Sequence, residues 1–154
     1  MSSITEFAWT DALLLGYAPM DNTHRQFVEI VTAMLGASDN DFAKHLDAFR
    51  IHAEAHFEQE RDWMAASGFP AMDCHVDEHN AVLKSVYEVK QYLAISADQK
   101  ERTAAVNAGR RLAEELVRWF PGHADYMDAS LAQWMVKQRT GGTPVVLRRG
   151  IVSK

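Results

Sequence analysis

His56 and Glu60 lie four residues apart in HFEQE, and His75 and His79 lie four apart in HVDEH. Residues at that spacing are neighbours on one face of an α-helix, so each pair offers two potential metal ligands side by side. Either pair alone occurs by chance on a solvated helix. Their position gives them weight: all four replace apolar residues on stripes that should face a core, where an unpaired charge costs several kcal/mol. His24, and His123 with Asp128, sit the same way on two further stripes. A bound metal compensates such groups directly.

Five imidazoles and two carboxylates are too many for one ordinary ion, but they suit two. If Glu60 and Asp128 each bridge, and a solvent-derived oxygen also bridges, three histidines complete a six-coordinate ion. The remaining two histidines leave the other ion five-coordinate, with one open position for a small external ligand. Manganese and zinc accept the same nitrogen and oxygen donors, so the ligand set alone leaves the metal open. The gap from His123 to Asp128 is five residues, which an ideal α-helix would turn away from each other. A wide π-type turn following Pro121 and Gly122 is therefore expected between them.

These residues need four helices to bring them together. Asp21 can cap a first helix over about 21–36, whose face carries His24, Phe27, Val28, Val31 and Leu35, with Gly36 at its end. After ASDND, a stripe of Phe42, Phe49, Ala53, His56, Glu60 and Trp63 marks a long second helix, stopped by Gly68 and Pro70. The third runs from about Met72 to Leu93, with His75, His79, Val82, Val86, Val89 and Leu93 on one face. Ser96 and Gln99 form a capping-box pattern ahead of a fourth, which buries Val106, Leu112, Leu116, Trp119 and Phe120. Pro121 should kink this helix, which resumes to about Lys137. Short connections give an all-α, up-down-up-down four-helix bundle, with an ordered N-terminal arm carrying Phe7, Trp9, Leu13, Leu14 and Tyr17.

The chain has 154 residues, 47% of them hydrophobic, and suits one domain over 1–138, with a non-core tail over 139–154. A net charge of −5 gives no footprint for nucleic acid. The stretch ALLLGYAPM is too short to span a bilayer, no basic n-region precedes it, and a lone Cys74 suits a reducing compartment. A cytoplasmic protein without membrane insertion is expected. Arg139, Arg148, Arg149 and Lys154 make the tail basic, which leaves room for an unidentified protein partner, although a flexible tail is the simpler reading.

Some residues have plainer roles. His52, one turn before His56, reads as a boundary residue close to the ligands, because pairing it with His56 would strand Glu60 two turns away. His45 lies off the pattern and reads as structural. Asp21 reads first as a helix cap and second as a hydrogen-bond partner of a ligand. Trp119, Trp134 and Met127 fall at core spacing, and some should also line the ligand pocket.

Taken in order, FAW, LGYAPMDNTH ending at His24, HFEQE, HVDEH, and WFPGHADYMD ending at Asp128 resemble the hemerythrins, and more closely their bacterial single-domain members. The pattern covers nearly all of residues 7–135. The resemblance implies two iron ions with an oxo or hydroxo bridge. It gives His75, His79 and His123 to the saturated iron and His24 and His56 to the open one, with Glu60 and Asp128 bridging. It implies dioxygen as the ligand of the open iron. The chain departs from the family at Phe120 and Ala124, where branched aliphatic residues are common. These two, with Trp119, are the expected pocket lining, and Phe120 is expected to limit access of solvent and anions.

Reversible dioxygen binding for transport, storage or delivery is the leading expectation, and the protein is not expected to be an enzyme. A diiron oxidase or peroxidase is the second reading, but the Glu-x-x-His pairs of carboxylate-rich diiron enzymes do not occur in the sequence. HExxH is absent too, which argues against a zinc metalloprotease. Sensing of oxygen or nitric oxide is the third, and would require a partner to carry the signal.

Overall fold

The computed structural model describes residues 7–139. A single 3-10 turn, Asp11–Leu13, precedes α1 (Ala18–Gly36), α2 (Phe42–Ser67), α3 (Met72–Ile95) and α4 (Gln99–His123). A π-helical segment, Ala124–Asp128, then leads into α5 (Ala129–Arg139). Helical dihedrals continue through both junctions, so α4, the π segment and α5 form one rod. Contacts run α1 to α2, α2 to α3, α3 to α4, and α4 back to α1. With connections of only a few residues, that closes an up-down-up-down bundle. No described helix is long and apolar enough to cross a membrane. The expected tail over 139–154 lies outside the described residues, Arg139 excepted.

The sequence reading places two helix starts wrongly. α1 begins at Ala18, with Pro19 in its first turn, where the missing N–H costs nothing. Asp21 therefore does not cap its own helix. Its carboxylate instead accepts from the backbone N–H groups of Leu15 at 2.7 Å and Gly16 at 3.1 Å, tying down the arm. Gly16 has a φ of 87°, in the left-handed region, which lets the chain turn into the helix. At α4 the cap is Asp98, which accepts from the Glu101 N–H at 2.9 Å, while Glu101 reaches back to the Ala97 N–H. Ser96 is occupied elsewhere, its hydroxyl donating to the Leu93 carbonyl at the end of α3.

Pro121 lies within α4, and regular α-helix persists for two residues beyond it. The departure is the π turn that follows, at the place the five-residue gap requires. The arm packs over the middle of the rod, close to the π turn. Phe7 meets Phe120 edge to face, Thr32 donates to the Phe7 carbonyl, and Arg25 covers the Trp9 ring.

The core is divided in two. One apolar cluster contains Phe27, Val31, Phe42, Phe49, Val86, Val106, Leu116 and Phe120. The other contains Leu15, Tyr17, Met20, Met64, Phe69, Leu131 and Val136. Each of α1, α2 and the α4–α5 rod crosses from one cluster to the other, and the histidines and acids fall at the crossings: His24 between Met20 and Phe27, His56 and Glu60 between Ala53 and Met64, His123 and Asp128 between Phe120 and Leu131. The polar groups thus form a layer inside the bundle, with hydrophobic packing on both sides.

Candidate metal centre

All seven residues singled out by type and spacing are buried, each at 5% relative exposure or less. They form two overlapping groups of potential ligand atoms, Glu60, His75, His79, His123 and Asp128 in one, and His24, His56 and Glu60 in the other, with the atoms of each group within 4.8 Å of one another.

The carboxylates divide their oxygens between the two histidine sets. Glu60 turns Oε2 to His56 Nε2 at 2.5 Å, and Oε1 to His75 Nε2 at 3.1 Å and His79 Nε2 at 3.4 Å. Asp128 turns Oδ2 to His24 Nε2 at 2.9 Å, and Oδ1 to His75 Nε2 at 2.9 Å and His123 Nε2 at 3.1 Å. Each acid thus faces the two-histidine set with one oxygen and the three-histidine set with the other.

Proximity is not the same as hydrogen bonding here. Nε2 of His24 and of His75, Oε1 of Glu60 and Oδ1 of Asp128 are buried without a well-aligned hydrogen bond among the described residues, despite the short separations. A buried cluster of nitrogen and oxygen donors with this much bonding capacity left over fits a set arranged around cations. His79 Nε2 and His123 Nε2 also face each other at 3.1 Å.

The electrostatics tie the acids to the imidazoles. Burial opposes ionisation of Glu60 and so does the nearby Asp128, but His56 and His75 outweigh both and lower its pKa to about 2. Asp128 is likewise held well below the usual carboxylate range, with burial overcome by His123, His24 and His75. Burial disfavours the charged form of His75, yet Asp128 and Glu60 raise its pKa to about 9. At His79 burial dominates and lowers the pKa to about 3. Without metal, the two carboxylates draw protons onto particular imidazoles.

Aromatic rings fix the imidazoles. Phe57 stacks on His79 at 3.8 Å between centroids, and Phe120 stands edge-on to His24 at 5.1 Å. Phe120 and Ala124 are both buried. Trp119 stacks on His123 at 4.3 Å, on the three-histidine side, and its ring also lies 6.3 Å from that of Phe27. His52 lies outside both ligand groups, with its ring edge-on to His56 at 5.7 Å and both nitrogens buried without a hydrogen-bond partner among the described residues. Both oxygens of Asp21 accept from the arm, which is where its hydrogen bonds among the described residues go. Glu78 was missed. It accepts from His123 Nδ1 at 2.8 Å and from Trp119 Nε1 at 3.2 Å, and its place three residues after His75 and one before His79 was the available signal.

Comparison with known proteins agrees with this geometry. The family model described as "Hemerythrin HHE cation binding domain" matches residues 15–135. The chain belongs to the hemerythrin family. A bacteriohemerythrin of Ralstonia nicotianae is 38% identical over 130 residues, covering 84% of this chain and 89% of that protein. A bacteriohemerythrin of Clostridium acetobutylicum is 32% identical over 88 residues, covering 52% of this chain and 68% of that one. The hemerythrin match runs from the turn before α1 into α5, and so contains all seven residues together with Glu78 and Phe120.

Proposed function

We propose that this hemerythrin-family chain holds two iron ions and binds dioxygen reversibly, as an oxygen carrier, store or delivery protein. His75, His79 and His123 would hold one iron and His24 and His56 the other, with Glu60 and Asp128 shared between them. The observation that carries this reading is the division of each carboxylate, one oxygen to each histidine set. An iron pair bound there would supply two-electron exchange with dioxygen.

The remaining work belongs to the chain. Three histidines on one side and two on the other leave the second set short of one donor, next to Phe120 and His24. Five neutral imidazoles against two carboxylates leave the oxidised pair less charge-compensated than a carboxylate-rich site would, which favours return of electrons to the bound ligand. Phe120, against His24, and Phe27, stacked on it, cover that side with apolar surface and limit entry of water and anions.

The test is optical. The iron-loaded protein is reduced anaerobically, exposed to oxygen, then purged while its spectrum is recorded. New charge-transfer bands that disappear on purging are expected; immediate irreversible oxidation would favour an oxidase and sink the carrier reading.

A further inference from the structure

Glu78 is a carboxylate beside the site that takes no place in either ligand group. It lies on α3 between His75 and His79, and its side chain points across to α4. A single oxygen, Oε1, accepts both from His123 Nδ1 at 2.8 Å and from the indole of Trp119 at 3.2 Å. Trp119 also lies against the face of His123, with the two ring planes 21° apart. The imidazole is therefore fixed in plane by a carboxylate and across its face by the residue that shares that carboxylate.

Three of the other imidazoles are held differently. Nδ1 of His24, of His56 and of His75 is buried with no hydrogen-bond partner among the described residues. At His123, donation from Nδ1 keeps the proton on that nitrogen and leaves the Nε2 lone pair directed at Asp128 and His79. A carboxylate behind a ligating imidazole also raises its basicity. Glu78 is partly open to solvent, and with Glu115, Leu112 and Leu116 it lines a groove of about 440 Å³ between α3 and α4.

We propose that Glu78 is a positioning residue for the metal centre: it fixes the tautomer and orientation of His123 and strengthens that imidazole as a donor, which tightens metal binding and stabilises the more oxidised pair. The inference rests on the metal reading above. Trp119 assists by holding both Glu78 and the face of the ring.

The test compares the iron-loaded parent with Glu78→Gln, Glu78→Asp, Trp119→Phe and Glu115→Gln. Loss of iron to a chelator, the midpoint potential of the pair, and urea unfolding of the metal-free protein are measured for each. Glu78→Gln should weaken iron retention roughly 10–100-fold and raise the potential, with metal-free unfolding close to the parent. Glu78→Asp restores the charge and should recover part of both effects. Trp119→Phe keeps a ring on His123 and should fall between parent and Glu78→Gln. Glu115→Gln removes a charge from the same groove without touching His123 and should match the parent. Parent-like retention and potential in Glu78→Gln overturn the proposal, as does an equal shift in Glu115→Gln, which would reduce it to a general field. A parent that takes up no iron overturns the metal reading and this proposal with it.

Discussion

His123 and Asp128 are five residues apart, yet His123 Nε2 lies 3.1 Å from Asp128 Oδ1. The π-helical segment Ala124–Asp128 makes this possible, because its wider turn returns the fifth residue to the side from which a regular helix would rotate it. The π turn acts as a one-residue insertion that sets the phase of α5 against α4. Tyr126, in the middle of it, is 82% exposed.

Deleting Tyr126 should therefore leave a four-residue spacing that a regular α-helix places on one face. Metal content is expected to stay at two ions per chain, with thermal stability no lower than the parent. Inserting an alanine after Tyr126 should instead rotate Asp128 by ~100° and cost at least one ion. Elemental analysis and circular dichroism on both variants decide the matter. Loss of metal in the deletion variant would mean that the wide turn shapes the centre beyond setting its phase.

Phe120 packs against His24 edge-on and stacks on Phe27 at 4.8 Å, and Phe7 of the arm covers it. It is a large apolar side chain against His24 in the two-histidine half, so replacing it should open that half to anions. Phe120→Leu is expected to speed azide binding and autoxidation several-fold while retaining both ions. Phe120→Ala should do more, with a stability loss of about 3–5 kcal/mol from the cavity. Stopped-flow rates equal to the parent in both variants would remove Phe120 as a barrier.

Much of this was legible because the fold and the site are written in the same period. His56 and Glu60, and His75 and His79, occupy the same stripes as Phe49 and Val82, so one pattern located both helix faces and candidate ligands. The π turn followed from counting, since five residues cannot share a face otherwise. What escaped was decided by which partner each polar group actually meets. Asp21 was taken for a cap because its type and place allow one, but the backbone of Leu15 and Gly16 folds back to claim it. Ser96 and Asp98 both precede α4, and only the C-terminal carbonyl of Leu93 decides between them by occupying the serine. Glu78 and Trp119 are 41 residues apart, and no local spacing joins them.

The metal-free centre should exchange protons for metal. The pKa of His75 is raised from an ordinary 6.5 to about 9 because Asp128 and Glu60 outweigh its burial. A folded-state value above the unfolded one means that protonated His75 contributes stability that is fully present below pH 6.5 and lost as pH rises through about 9. Metal binding requires the neutral ring, so loading near pH 7.5 must displace that proton. His79, lowered to about 3, is already neutral and has none to release. Proton release on loading, read with an indicator dye in weak buffer, should therefore decline between about pH 7 and pH 10. Release independent of pH across that range would contradict this assignment.

Gly109 tests the packing that holds the layer in place. A Cβ there would fall within the ring of Phe42, a completely buried residue at the start of α2 whose face is covered by Arg110. Alanine is favoured over glycine in a helix by about 1 kcal/mol, but overpacking a core costs about 1–3 kcal/mol. A ring enclosed on α2 cannot retreat as the end of a flexible chain could, so the clash should win. Gly109→Ala is expected to lower stability by about 1–2 kcal/mol in urea unfolding, with the metal content unchanged. Phe42→Leu in the same chain should relieve the clash, making the double variant less damaged than the sum of the single ones. Simple additivity would show that α4 can shift away from α2 at this crossing, and that Gly109 is there for a reason other than the close approach of Phe42.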